Sequence, residues 1–531
     1  MSSLVLVVAV GVAILVGAGA ARRLRIAPPV LLLVAGVLLG FAPALRAVHL
    51  PPEAVLLVFL PVLLYWEAFS SSLREMRRNL RVIVLLSTLL VVATAAGVAV
   101  AGHALGLGWG AAWVLGAAVA PTDATAVGVL GRMLPRRIAT TLRAESLVND
   151  GTALVIYTLA VGITLGEEHL SVGRVAGLFA FSYLGGIASG AVVTFLVLQI
   201  RRRLTDPFQH NLLALLTPLT AYLIAEAAEV SGVLAAVVSG LWVGRASPRL
   251  FPGNARRHVH TVMEFLTMLA NAALFVLVGL EAQSAVRGLD SSGLAHGMLV
   301  ALVVCAVIVA VRFGWLFTSP YVIRAIDRRP QQRERRLSGR PRALMSAAGF
   351  RGAVSMAAAL AVPHTLPSGS EFPDRDLIVF VTAVVIAVTL LVQAPLMPRV
   401  TRWAGLGADS EAERERRQAE ITSMDRALGS LPTMAAELGT SDDVHEQLRA
   451  EYDRRLRVLR DGDATSGPDE AAADYEKQYA DLHLAVIGHR HETVVRMRDA
   501  GEIDDEVLRR VQDGLDLEQV HMTQRRDNDN R

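Results

Sequence analysis

The sequence predicts an all-α polytopic membrane fold, with about thirteen transmembrane helices and a helical cytosolic tail, and three observations predict it. Hydrophobic residues fill 53% of 531 positions and the mean hydropathy is +0.43, more apolar surface than soluble cores hide. That surface falls into runs of about 20 residues, the length that crosses roughly 30 Å of hydrocarbon. Arginines cluster in the short loops between alternate runs, the asymmetry that sets membrane orientation.

Taken in order, the run 3 to 20 has no basic region before it and carries Arg22, Arg23 and Arg25 after it, so it reads as a retained span rather than a signal peptide. Runs 28 to 45 and 52 to 69 follow, the second ending near Glu67. The run 80 to 102 is unbroken, whereas 109 to 131 contains Pro121, which lacks an amide donor, clashes with the preceding turn and favours an interrupted helix. The run 145 to 166 opens on carboxylates. Runs 174 to 200, 210 to 226, 231 to 244 and 259 to 281 are apolar; 294 to 320 holds Arg312, 342 to 363 holds Arg351, and 376 to 398 closes the series.

Loops after odd-numbered runs carry Arg74, Arg77, Arg78 and Arg81; Arg132, Arg136, Arg137 and Arg143; Arg201, Arg202 and Arg203; Arg245, Arg249, Arg256 and Arg257; and a dense stretch from Arg324 to Arg342. Loops after even-numbered runs carry one or two, such as Arg46, Arg287 and Arg375, with Glu167 and Glu168 between them. This places the amino terminus outside and the carboxyl terminus in the cytosol. Residues 1–404 thus read as the transmembrane domain.

Residues 405–531 read as a separate cytosolic tail, with a regulatory role as the expectation, because apolar runs stop and charge dominates. Asp443 to Leu459 and Asp474 to Ala500 have helical periodicity, Thr465 to Asp469 with Gly467 and Pro468 reads as a linker, and Arg525 to Arg531 as disordered. His483, His489 and His491 read as exposed helix histidines rather than metal ligands. The single cysteine, Cys305, lies in an apolar run and excludes an intrachain disulfide or a CxxC redox site.

Charge inside a membrane run is costly and marks a functional site unless it reaches the interface. Glu67, Asp123, Asp150, Arg312 and Arg351 stand out, with Glu145 beside them. Counted from the nearest arginine taken as cytoplasmic, all five lie roughly 10 to 18 Å into the membrane at 1.5 Å per helical residue. Structural pairs need not share a layer, but a hard cation needs oxygens converging from several helices. In the stretch from Glu145 to Asp150, positions four apart stack, so Glu145 lies by Asn149 and Ser146 by Asp150. Burial disfavours a charged Asp150 and a bound cation restores it, so proton and cation compete for one carboxylate. Arg351 is placed to neutralise the negative ends of a second broken helix.

These residues sit in stretches that resemble the monovalent cation/proton antiporter-1 family, the bacterial relatives of sodium/proton exchangers. The matching stretches are APTDATAV from Ala120, ESLVNDGTALV from Glu145, GFRGAVSMAAAL from Gly349, PVLLYWEA from Pro61 and EFLTMLANAALFVLVGL from Glu264. The resemblance implies inverted repeats, two crossed discontinuous helices and a dimerisation domain, hence a homodimer in a bacterial inner membrane. It also implies antiport of sodium, or of potassium or lithium, against protons, serving pH homeostasis. No cofactor beyond the transported ions is expected. By position, Asp150 is the shared ion and proton carboxylate; Glu67, Ser146 and Thr122, the last through its carbonyl, are further ion contacts. Asp123 and Asn149 support the site, and Glu145 with Arg312 forms a buried pair. Asn149 before the aspartate implies one-for-one, electroneutral exchange.

Two other classes fit parts of the pattern. A membrane-embedded aspartyl hydrolase would use Asp123 and Asp150 as a proton-sharing pair, leaving Glu67, Arg312 and Arg351 without a role. A cation channel would use the same oxygens without a counter-ion.

Overall fold

The computed structural model describes residues 2–24, 28–42, 59–123, 136–166, 172–204, 206–251, 253–288, 290–326, 339–366, 368–405, 410–461, 470–500, 502 and 505–529. The chain divides into two compact units, Met1–Ala408 and Asp409–Arg531. Both are helical, and among the described residues there is no β-strand beyond one isolated bridge, between Thr365 and Glu371.

In the first unit, α1 is Ser2–Leu24, α2 Pro28–Leu39, α3 Leu60–Phe69 and α4 Leu73–Val84, which runs through a π-helical turn at Leu85–Leu89 into α5, Leu90–Ala104. Next come α6 Trp109–Val119, α7 Arg136–Thr164, α8 Val172–Arg201, α9 Pro207–Ala227, α10 Gly232–Leu250, α11 Gly253–Gly288 and α12 Ser291–Ile326. The unit closes with α13 Gly339–Ala347, α14 Ala353–Leu360 and α15 Arg375–Val388, which passes through a second π turn, Thr389–Gln393, into α16, Ala394–Ala404. Six described stretches are long and apolar enough to cross a bilayer: Leu85–Ala104, Ile138–Thr164, Gly177–Arg201, Ala255–Arg287, Ser291–Tyr321 and Arg375–Ala404. The expected runs at 43–45, 52–58 and 124–131, the side of Arg25, Arg46, Arg132, Glu167 and Glu168, most of the stretch from Arg324 to Arg342, and the linker at Thr465 to Asp469 lie outside the described residues.

Lipid gives helices little hydrophobic reason to associate, so close packing depends on small residues at the crossings. Gly240 and Gly244 of α10 do this against α3: a Cβ at either would stand 2.3 Å from the carbonyl oxygen of Tyr65 or Phe69. That contact fixes the helix carrying Glu67. Gly36 of α2 and Gly279 of α11 allow a similar crossing, where a Cβ would meet carbonyl oxygens at 2.0 and 2.1 Å.

Most arginines of the loop reading stand within helices, among them Arg74 in α4, Arg136 and Arg143 in α7, Arg249 in α10 and Arg256 in α11, and two of them bear on the packing. Helix α7 begins nine residues before the apolar run does, because Ile138, Ala139 and Leu142 bury one face of its polar first turns, so Arg143 stands within the helix. Arg201 ends α8 with its side chain buried and its guanidinium 4.2 Å over the Phe251 ring. Loop arginines and helix-end arginines look alike in a count of charges.

In the second unit, α17 (Ser410–Leu438) pairs with α18 (Asp442–Asp461), and α19 (Glu470–Asp499) with α20 (Asp505–Asp529). Arg460 joins Asp425 at 2.7 Å, and Glu518 of α20 accepts from Arg490 at 2.8 Å and meets His483 Nε2 at 2.9 Å. Those two neighbours hold the Glu518 carboxyl below its ordinary range. His491 faces Asp516 at 3.1 Å, and no metal-type cluster occurs among the described residues. The expected disorder from Arg525 is corrected: α20 continues helically to Asp529, its Leu508 and Leu515 buried in this unit along with Ile487 of α19.

Candidate functional site

Two interruptions build the site. Helix α6 stops at Val119 and Ala120 to Asp123 run on without helical structure, while the apolar run near Arg351 splits into α13 and α14 with Ala348 to Gly352 between them. The breaks touch, since the Asp123 amide donates to the Phe350 carbonyl at 2.9 Å. Carbonyls freed at the end of α6 need donors in a dry environment. Arg351 supplies them: Nε donates to Val119 O at 2.9 Å, Nη2 to Ala120 O at 3.5 Å, and Nη1 to Gly349 O. Its own amide donates to Thr389 Oγ1 at 3.3 Å, in the second π turn, an irregularity common at functional sites.

A second set of bonds fixes Thr122. Asn149 Nδ2 donates to Thr122 Oγ1 at 2.7 Å, and that hydroxyl donates to Glu145 Oε1 at 3.4 Å. Glu145 is held from the other side by Arg312, with Nη1 to Oε1 at 2.5 Å and Nη2 to Oε2 at 3.1 Å, and Arg312 Nε donates to Met345 O at 3.2 Å. Glu145 and Arg312 are 1% and 3% exposed, so the pair is buried, and each guanidinium nitrogen has a partner. Gly349 lets both guanidinium groups approach, for a Cβ there would stand 2.7 Å from Arg312 and 3.0 Å from Arg351.

The carboxylates lie elsewhere. Glu67 from α3, Thr122 and Asp123 from the first break, and Ser146 and Asp150 from α7 line one cavity of about 390 Å³. Asp150 is buried at 3% exposure. Glu145, Asn149, Arg312 and Arg351 lie off this lining, so the single layer expected from sequence separates into acids that face a cavity and bases that brace the breaks. The lining also includes Arg143, Thr267, Asn271 and Ser355, which sequence reasoning did not select. Arg143 was hidden by its reading as a loop residue. Thr267 and Asn271, four apart on α11, carry the only available signal, polar residues one turn apart in an apolar run.

A second cavity, of about 860 Å³, is lined by the carboxyl-terminal half of α7 from Leu154 to Gly162 together with α8, α9 and α10, and contains Glu226 and Glu229. One apolar cluster joins the two walls: Leu60, Leu64, Leu147, Tyr222, Val233 and Val237 pack together, Leu64 lining the first cavity and Tyr222 and Val233 the second.

A family profile described as sodium/hydrogen exchanger, transmembrane, matches residues 10–403. The chain belongs to that family. An uncharacterized Na(+)/H(+) exchanger of Mycobacterium tuberculosis (strain ATCC 25618 / H37Rv) is 42% identical over 98% of this chain and 96% of its own length. The Na(+)/H(+) antiporter ApNhaP of Aphanothece halophytica is 32% identical over 81% of this chain and 79% of its own. The sodium proton antiporter MjNhaP1 from Methanocaldococcus jannaschii at pH 8 shares the fold, with a TM-score of 0.59 at 20% identity, covering 76% of this chain and 99% of that one. This family member is therefore a multi-pass membrane transporter, and the hydrolase reading of Asp123 and Asp150 gives way.

Gly352, the residue before α14, has an exacting role in this site. A Cβ there would stand 1.6 Å from Asp123 Oδ2 and 2.7 Å from Asp123 Cβ, so the carboxylate rests against the start of the helix, where unpaired amides favour negative charge. The Asp123 backbone is held in place, since its amide is tied to Phe350. Gly352→Ala is expected to destabilise the protein by about 1 to 3 kcal/mol through overpacking. Thermal unfolding in detergent measures it, and an unchanged midpoint would mean that Asp123 moves aside freely.

Proposed function

We propose that this protein exchanges a monovalent cation, sodium first and lithium or potassium as alternatives, for a proton across a bacterial inner membrane. The observation that carries the reading is the cavity shared by Asp150, Glu67, Asp123, Thr122 and Ser146, oxygen-bearing groups delivered by three separate segments. Hard cations are held by several such oxygens, and a buried carboxylate holds either a cation or a proton. Asp150 is the exchanged charge. Glu67, Ser146 and the Thr122 carbonyl complete the cation's coordination, while Asp123 and Asn149 hold the site in shape, the amide of Asn149 being engaged with Thr122. Arg351 neutralises the carbonyl ends of the broken helices, and Glu145 with Arg312 ties α7 to α12.

One carboxylate loaded alternately supports one-for-one, electroneutral exchange. Two cavities joined by a common apolar wall support alternating access, in which that wall closes one side while the other is open. The chain works as a homodimer of inverted repeats with two crossed discontinuous helices, about thirteen spans, the amino terminus outside, and a cytosolic tail from residue 405 that adjusts activity. It needs no cofactor besides its ions and serves pH homeostasis.

The experiment is the purified protein in vesicles with an internal pH dye and each alkali cation added in turn. Exchange is expected with sodium in a membrane-potential-independent manner. Current without proton movement would instead favour a channel and sink the antiport reading.

A further inference from the structure

Many buried hydroxyls elsewhere in the bundle are spent on their own helices. Thr94 donates to Leu90 O at 2.7 Å, Thr194 to Gly190 O at 2.6 Å and Ser346 to Arg342 O at 2.9 Å, each four residues back. Ser355 is different. It stands in the first turn of α14, and the residue four before it, Arg351, belongs to the break, outside any helix. Its side chain is 1% exposed, and Ser355 Oγ has no hydrogen-bond partner among the described residues.

Buried polar atoms are nearly always bonded, and an exception calls for a water, an ion or a functional role. Several described side chains share this lack of a partner, including Ser87, Tyr157 and Thr382, but among them Ser355 is the residue that lines the cavity of Asp150. A serine hydroxyl oxygen has two lone pairs. It can turn one to a cation, which the side chains of Val354 beside it and of Leu63 and Leu64 in the same lining cannot do.

We infer that Ser355 is a further cation ligand of this exchanger, contributing its hydroxyl oxygen from α14 to the site that Asp150, Glu67, Ser146 and Thr122 form from the other elements. The inference rests on cation and proton competing at Asp150, as proposed above. A ligand that touches the cation and leaves the proton site alone has a distinct kinetic signature. Under competition, the apparent KM for sodium rises linearly with proton concentration, and the ratio of intercept to slope is the proton dissociation constant. Ser355→Ala multiplies slope and intercept by the same factor and leaves their ratio fixed.

The test is sodium-dependent exchange by the full-length protein in vesicles at five or more pH values, for wild type, Ser355→Ala and Ser355→Thr. Ser355→Ala is expected to raise KM roughly five- to tenfold at every pH with Vmax within about twofold, the loss of one good oxygen contact. Ser355→Thr, which keeps the hydroxyl, is expected to bring KM back to within about twofold of wild type. An unchanged KM in Ser355→Ala, a shift in the proton constant, or a threonine variant no better than alanine would each overturn the assignment. A wild-type KM that ignores proton concentration would instead defeat the competition at Asp150 itself, whatever Ser355 does.

Discussion

Asp150→Asn is expected to reduce cation-driven proton movement in vesicles to the level of protein-free membranes. The side chain is 3% exposed in the wall of the shared cavity, and asparagine matches its shape. What the change removes is charge: the amide neither takes up a proton to cross empty of cation nor balances a cation once bound. The other oxygens assigned to the cation remain, so cation binding weakens, but the cycle has lost the group on which the two ligands exclude each other. Folding should survive, because removing a buried carboxylate relieves a desolvation cost rather than adding one. Wild-type elution and thermal midpoint with no exchange is the expected pattern. Measurable pH-dependent exchange by Asp150→Asn would reject the assignment and direct attention to Glu67 or Asp123, which line the same space.

The legible part of this site is the part that violates membrane hydropathy. Asp123, Glu145 and Asp150 are visible because a carboxylate in an apolar run needs an explanation, and the resemblance carried by the stretches around them is upheld by the family match over residues 10–403. Pro121 signals the first break through a defined steric reason, and the helix does end two residues before it. The second break has no proline; Gly349 and Gly352 permit it, but glycines also mark the helix crossings at Gly36 and Gly240, so composition alone does not separate the two uses. The π turns at Leu85–Leu89 and Thr389–Gln393 leave no pattern at all. Neutral oxygens are the hardest to see. Ser355 and Asn271 are set apart from ordinary helix-embedded polar residues by facing a cavity, a property of the assembled bundle. Arg143 and Arg201, like most of the other loop-assigned arginines, stand in helices for a related reason: a rule that counts arginines per loop has no means of knowing that the helix extends to include them.

Arg312→Ala is the variant with the largest expected effect on stability. Arg312 makes both bonds to Glu145 and one to Met345 O, which links α12 to α7 and to α13 in a region closed to water. Two buried charges in contact contribute little net stability relative to apolar residues, but removing one leaves the other uncompensated, at a cost of about 3 to 5 kcal/mol. The cost falls on Glu145, which is left with the hydrogen bond from the Thr122 hydroxyl at 3.4 Å, a long bond that does not replace a guanidinium. Arg351 is not free to substitute, because its nitrogens are committed to Val119, Ala120 and Gly349. A double-mutant cycle isolates the pair: Glu145→Gln with Arg312→Ala should recover much of the loss seen in Arg312→Ala alone, since no unpaired charge is left. Arg312→Lys should fall between wild type and alanine, keeping charge but losing the two-pronged geometry. The pair also holds the acceptor to which Thr122 donates, so Arg312→Ala should weaken cation affinity as well as lower the unfolding midpoint. Equal thermal midpoints for wild type and Arg312→Ala would argue against the pair as the tie between α7 and α12.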